Sequence, residues 1–292
     1  MSKKCTACPR ECGADRSVSR GFCGCNDTFR LARAALHYWE EPCISGKNGS
    51  GTIFFSGCSL KCVYCQNYEI SHNLFGKDIS DRRLCEIFEE LKSAGANNIN
   101  LVNPTHYALK IADILKTSKP SIPVVYNTGG YEKVQTLKQL DGLVDIYLTD
   151  LKYYDSAVSL KYSEAADYFE KAFEALKEMK RQQPCDIYNE NGIMQKGVII
   201  RLLILPGNIS QTIKLLDLIA DNFSNDTVIS LMSQYTPCGR AEEYPTINRR
   251  ISKREYKTVK DRLLSLGFEN AYIQELSSSK EEYIPPFDLT GV

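Results

Sequence analysis

The chain has no excess of charge of either sign: Lys and Arg together number 36, and so do Asp and Glu. A balanced surface projects no field toward nucleic acid or an anionic membrane, so neither is expected as a partner. No stretch approaches the roughly 20 apolar residues of a membrane span, and the N-terminus has no apolar signal core. The expected location is therefore the cytoplasm. No low-complexity tract and no internal repeat interrupts the 292 residues. Hydrophobic residues make up 43% and charged residues 25%, which is ordinary for a globular chain with a sizeable core.

Cysteine is the exception. There are 12, most of them within the first 65 residues. Without an export signal, that density points to metal rather than disulfides. Three stand at Cys58-x3-Cys62-x2-Cys65, directly after the apolar run Thr52-Ile53-Phe54-Phe55. That run reads as a strand bounded by Gly51 and Gly57. The thiols then lie in a loop at the C-terminal end of a strand, where α/β barrels keep their chemistry. Three cysteines can hold three irons of a cubane and leave the fourth open to bind a small molecule. The bland alternative is a zinc knuckle or buried free thiols, although zinc usually takes four ligands in regular pairs.

A second set, Cys5, Cys8, Cys12 and Cys23, is interleaved with Pro9, Gly13, Gly21 and Gly24. Four thiolates suit zinc, another single ion or an auxiliary iron–sulfur cluster, and spacing does not decide between them. With all ligands from protein, this site reads as structural; Cys25 is left as a spare thiol.

Apolar spacing predicts a helix over 29–39, and Cys43 reads as a buried thiol. Beyond the triplet, strands and amphipathic helices alternate. Strands are expected at 98–102, 124–126, 144–148, 197–205, 228–232 and, briefly, 271–273. Helices are expected at 80–94, 105–117, 131–140, 156–181, 209–223 and 252–266. Continuous apolar strands alternating with helices mean a parallel sheet covered by helices. The fold class is α/β, a partial (β/α)6 TIM-like barrel over residues 51–275. A cysteine-rich segment with a lead-in helix (1–50) precedes it. A tail (276–292) follows, short enough to leave the barrel mouth open.

Several strands end in polar groups that a pure core would exclude: Asn103, Asn127 with Thr128, Asp150 with Lys152, and Ser233-Gln234-Tyr235. Arg201 lies inside an apolar strand and needs an acid such as Asp150, because burying it unpaired is costly. His106 reads as a local hydrogen-bonding residue or a proton carrier above the pocket.

The triplet, with an aromatic before its third cysteine, resembles the signature of the radical S-adenosylmethionine (radical SAM) superfamily. Further segments look like an uncharacterised family similar to the pyruvate formate-lyase activating enzymes. They include Glu41-Pro42-Cys43-Ile44-Ser45-Gly46, Cys65-Gln66-Asn67-Tyr68, Pro104-Thr105-His106-Tyr107, Tyr126-Asn127-Thr128-Gly129-Gly130-Tyr131-Glu132, Asp150-Leu151-Lys152-Tyr153 and Ile284-Pro285-Pro286-Phe287-Asp288. The resemblance implies a [4Fe–4S] cluster on Cys58, Cys62 and Cys65 that cleaves SAM reductively to a 5′-deoxyadenosyl radical. It implies hydrogen abstraction from a protein or peptide, and an electron donor such as flavodoxin or ferredoxin. SAM would then bind among Tyr64, Asn103, Asn127, Thr128, Asp150, Lys152 and Arg201, its carboxylate seeking Lys or Arg and its ammonium and hydroxyls seeking Asp or Asn. Many members carry Gly-Gly-Glu after the second strand, where this chain has Asn103-Pro104-Thr105. Modification of another peptide side chain, RNA or a small molecule stays open, as does a non-catalytic zinc-binding scaffold.

Overall fold

The computed structural model describes residues 4–276 and 285–292. Among these residues ten strands occur: β1 (Phe29–His37), β2 (Ser50–Phe55), β3 (Lys77–Ile79), β4 (Ile99–Val102), β5 (Val124–Thr128), β6 (Ile146–Asp150), β7 (Ile187–Tyr188), β8 (Met194–Leu203), β9 (Val228–Met232) and β10 (Ala271–Ile273). Strands β2, β4, β5, β6, β8, β9 and β10 lie side by side in that order, all parallel. Val124, Val125, Ile146, Leu148, Ile199 and Ile200 are fully buried, as strands covered on both faces must be. The sheet's edges, β10 and β3, do not pair with each other, so the barrel is partial, as expected.

The helix at Asp81–Ser93 begins where the Ser80 hydroxyl accepts from the Arg83 N–H, and it buries Leu84, Ile87, Phe88 and Leu91. The helix at Lys253–Ser265 opens on a capping box between Ser252 and Glu255.

Residues 29–39 do not form the expected helix. They supply β1, antiparallel to β2, with a register shift between Leu31 and Arg33. The bulge moves burial from Phe29 and Leu31 to Ala32 and Ala34, and that broken alternation imitates a helical period. The helix expected over 156–181 is two, Ser156–Ser163 and Tyr168–Gln182, parted at Glu164, whose backbone is left-handed at φ 52°.

After β1 the chain turns under the barrel. Cys43 and Ile44, on the short helix Pro42–Ser45, pack among Val125, Ile146, Leu148, Ile199 and Val228 and close its N-terminal end. The tail does not leave the far edge bare. Residues 277–284 lie outside the described residues, but from Pro285 onward the chain runs along β1. The Ala34 N–H donates to the Thr290 carbonyl at 2.8 Å, and the Leu289 N–H to the Ala32 carbonyl at 3.0 Å. Phe287 meets Phe54 edge-on at 5.4 Å.

Because Phe287 is half-buried and anchors this strap, Phe287→Ala is expected to cost about 1–2 kcal/mol. A lowered urea midpoint with unchanged slope is the expected reading. An unchanged midpoint would mean that the strap adds nothing to the fold.

Candidate active site

The loop after β2 is shaped by its neighbours. Gly57 has φ 86°, and a Cβ there would strike the Cys25 sulfur and the Cys23 carbonyl. The Cys58 N–H donates to the Cys23 carbonyl at 3.2 Å, and the Val63 N–H to the Tyr162 carbonyl at 2.9 Å. Each thiol also accepts a hydrogen bond: Cys58 from the Leu60 N–H (3.3 Å), Cys62 from the Ser163 hydroxyl (2.9 Å), and Cys65 from the Ser71 hydroxyl (3.3 Å). Burial and the neighbouring thiols push Cys65 up to about 12, and burial raises Cys62 as well. Thiols raised in this way become thiolates together when a metal supplies the compensating charge. Among the described residues no three Cys, His, Asp or Glu side chains converge as closely as one ion requires. Three soft sulfurs, each already hydrogen-bonded, suit iron–sulfur ligation by their chemistry.

These cysteines open onto a cavity of about 250 Å³. Tyr64, Asn103, Asn127, Thr128, Asp150, Lys152 and Arg201 all line it, so the structure gathers every candidate of the main site in one place. The far wall is a charged layer. Arg201 Nε donates to Asp150 Oδ1 at 2.7 Å, Nη2 to Asn127 Oδ1 at 2.6 Å, and Nη1 faces Glu40 Oε2 at 3.4 Å. Lys152 pairs with the other Asp150 oxygen. Burial opposes the Asp150 charge, but Arg201 and Lys152 outweigh it and hold its carboxyl below the usual range. Glu40 Oε1 accepts from Asn100 (3.1 Å) and Asn127 (3.2 Å), while burial raises both Glu40 and Glu41. Glu40 reaches this layer from the floor and was not among the residues singled out from sequence.

Two candidates play narrower parts than expected. Tyr64 is only 5% exposed, its hydroxyl bonded to that of Tyr153 at 2.6 Å and its ring edge-on to Tyr235. Asn103 adopts φ 58°, its side-chain amide donates to the Gly57 carbonyl, and its N–H donates to the Asn127 carbonyl at 2.8 Å. It ties the end of β4 to the cysteine loop and to β5. His106 lies outside the cavity, fully buried, with Nε2 2.9 Å from the Ser56 carbonyl; burial draws it down to about 4.

The N-terminal cysteines pack behind the loop. Cys8 and Cys23 are buried, whereas Cys12 is exposed. Cys12 and Cys23 both approach Gly21, where a Cβ would meet their sulfurs at 3.2 and 3.5 Å. Burial pushes Cys8 up to about 12, helped by the charges of Glu132, Cys23 and Cys5. Here too, among the described residues, no three of these thiols converge as closely as a single ion requires.

Sequence reasoning also passed over Glu132. It is buried behind the cavity wall, accepting from the hydroxyls of Thr105, Thr128 and Tyr126, and burial raises it to about 7. Its proton is held more tightly in the folded chain. The stability it contributes is therefore complete below the ordinary carboxyl range and is lost as pH rises through about 7. Glu132→Gln, which cannot ionise, should gain on the wild type between about pH 5 and about pH 8, by up to about 3 kcal/mol. Urea midpoints across that range measure it; a difference independent of pH would exclude a titrating charge at this position.

Comparison with known proteins gives the lineage. The Radical SAM superfamily matches residues 52–219. Uncharacterized protein MJ0674 of Methanocaldococcus jannaschii is 34% identical over 265 residues, spanning 87% of this chain and 72% of that protein. Streptococcus suis SuiB bound to S-adenosylmethionine superposes with a TM-score of 0.50 at 17% identity, over 77% of this chain and 50% of its own. The FeFe-hydrogenase maturase HydG from Carboxydothermus hydrogenoformans superposes with a TM-score of 0.50 at 15% identity, over 80% and 56%. The chain spans about half the length of these two structures, and at such identities they show the fold alone. The family match over more than half of the chain and the M. jannaschii relative lead to one assignment: this chain belongs to the radical SAM superfamily.

Proposed function

We propose that Cys58, Cys62 and Cys65 hold a [4Fe–4S] cluster beside a SAM site lined by Tyr64, Asn103, Asn127, Thr128, Asp150, Lys152 and Arg201. The enzyme then abstracts hydrogen from a protein or peptide in the manner of an activating enzyme, a glycyl residue being the sharpest version. The observation that carries this reading is one cavity with three hydrogen-bonded thiols on one wall and the Arg201–Asp150–Lys152 layer on the other. When bound, the cluster supplies the electron that splits SAM into methionine and a 5′-deoxyadenosyl radical.

The chain's own residues bind and orient. Lys152 and Arg201 offer cations to a carboxylate, and Asp150 and Asn127 offer acceptors to an ammonium or to ribose hydroxyls. Because these groups are already paired, a zwitterion exchanges one set of ion pairs for another rather than meeting uncompensated charge. The apolar floor at Cys43 and Ile44 excludes water from below. SuiB, a protein of like fold, binds a precursor peptide, which supports a peptide substrate here. Cys5, Cys8, Cys12 and Cys23 hold a second site, zinc or an auxiliary cluster, and a flavodoxin or ferredoxin supplies electrons. No helix among the described residues is long and apolar enough to cross a membrane.

Anaerobic reconstitution with iron and sulfide, dithionite reduction and addition of SAM should yield 5′-deoxyadenosine by chromatography. A variant with Cys58, Cys62 and Cys65 all changed to Ala should yield none. A loaded, reducible wild type that gives no product and no SAM-induced change in its EPR spectrum would remove the assignment. Lys152→Met, which leaves the Asp150–Arg201 pair intact, should weaken SAM binding about 10- to 100-fold. Equilibrium dialysis against labelled SAM measures this, and unchanged affinity would take Lys152 out of the site.

A further inference from the structure

Arg10 stands between Cys8 and Cys12, yet its guanidinium is committed to the barrel. Nε donates to the Ser59 carbonyl at 2.8 Å, Nη2 to the Ser163 carbonyl at 3.0 Å, and Nη1 to the Glu164 carbonyl. All three acceptors are neutral carbonyls, and the rings of Phe22 and Tyr131 lie 4.1 and 5.3 Å from the guanidinium carbon. Ser59 follows Cys58 in the cysteine loop. Ser163 and Glu164 end the helix Ser156–Ser163, where carbonyls lack partners within the helix. Arg10 thus caps that helix from a distant part of the chain, as a cation at a helix C-terminus favourably does.

Ser163 is also the residue whose hydroxyl reaches Cys62. A serine hydroxyl has one hydrogen, and donating it to the Cys62 sulfur leaves Ser163 to accept from the Tyr153 hydroxyl at 2.7 Å. Tyr153 must then accept from the Tyr64 hydroxyl at 2.6 Å. The direction of the whole chain is fixed: Tyr64 to Tyr153 to Ser163 to the sulfur, each bond polarising the next. Donation to a ligating sulfur withdraws electron density and raises the reduction potential of an iron–sulfur centre.

We propose that Arg10 is a positioning residue of the iron–sulfur centre: by fixing the Ser59 and Ser163 carbonyls, it holds the Ser163 hydroxyl on the Cys62 sulfur and thereby sets the cluster's reduction potential. This rests on the cluster reading given above. Arg10 does not line the cavity, and its guanidinium acts through Ser163. Arg10→Lys separates its two possible contributions, because lysine keeps the charge but its single ammonium lacks the planar fork that spans three carbonyls.

The test is an EPR-monitored potentiometric titration of the reconstituted full chain, following the signal that responds to SAM. The wild type is compared with Ser163→Ala, Arg10→Lys and the double variant. Both single variants should shift the midpoint to more negative potential, and the double variant should lie no lower than Ser163→Ala alone. A wild-type midpoint in Arg10→Lys, or additive shifts in the double variant, would overturn the proposal. Circular dichroism reports folding; if Arg10→Lys does not fold, Arg10→Gln, which keeps one planar donor group, is titrated by the same criteria. A wild type without any SAM-responsive cluster signal would instead strike the cluster assignment itself, so the two failures are distinct.

Discussion

Three sulfurs on one short buried loop cannot all carry charge unless donors and cations reach them, and most of this fold can be understood as the supply of those groups. Leu60 donates from within the loop, Ser71 from the segment that follows it, and Ser163 from a helix end about a hundred residues later. Lys152 also lies close enough to favour the Cys62 thiolate, against the burial that disfavours it. The loop itself is strained at Lys61, with φ 57°, and is held there by its ammonium on the Ser71 carbonyl and by the Cys23 carbonyl on the Cys58 N–H. Such strain persists only where the surroundings over-determine it. Here they do so from two directions.

The barrel interior is layered by the same logic. Below is an apolar floor around Ile44; above are the thiols and the cavity; between them lie Glu40, Asn100, Asn127, Asp150 and Arg201. A buried ion-pair network is weak evidence for stability, since desolvation consumes much of the attraction. Its position against an accessible cavity is more telling than its energy. Arg201 is anchored by two acids and an amide, so it can meet an incoming carboxylate without first being ordered.

The parallel strands were legible because continuous apolar runs such as Val198–Leu205 have no other plausible home, and the rim was legible because polar residues end those runs. Arg201 inside its strand announced the need for an acid, and Asp150 is that acid. Glu40 and Glu41 were not readable. They adjoin a proline in what looks like a loop, and the partner of Glu40 lies 161 positions away. Glu132 had a local signal, an acid directly after Gly129-Gly130-Tyr131, but nothing local says that Thr105 would fold against it. β1 failed for a different reason: a bulge shifts the buried set by one residue, and alternation so broken imitates a helix. The break at Glu164 also escaped, because residues 156–181 contain neither glycine nor proline to signal it, and the guanidinium that takes the carbonyls there belongs to Arg10, near the N-terminus.

That contact ties the segment before the barrel to the helix end. The carbonyls that end the helix Ser156–Ser163 are taken by Arg10, so a longer helix would withdraw them into its own hydrogen bonds and release the guanidinium. Ala7 meanwhile accepts from the Thr136 hydroxyl at 2.8 Å, and Glu11 pairs with Lys133, so the knuckle also grips the short helix Val134–Leu137 and its N-cap. Cys23 and Cys25 pack so tightly against Gly57 that no side chain fits between them. A segment bound at so many points to the loop that carries Cys58 cannot shift without moving that loop. The Cys58 N–H on the Cys23 carbonyl therefore couples the N-terminal cysteine segment directly to the loop that carries the three thiols.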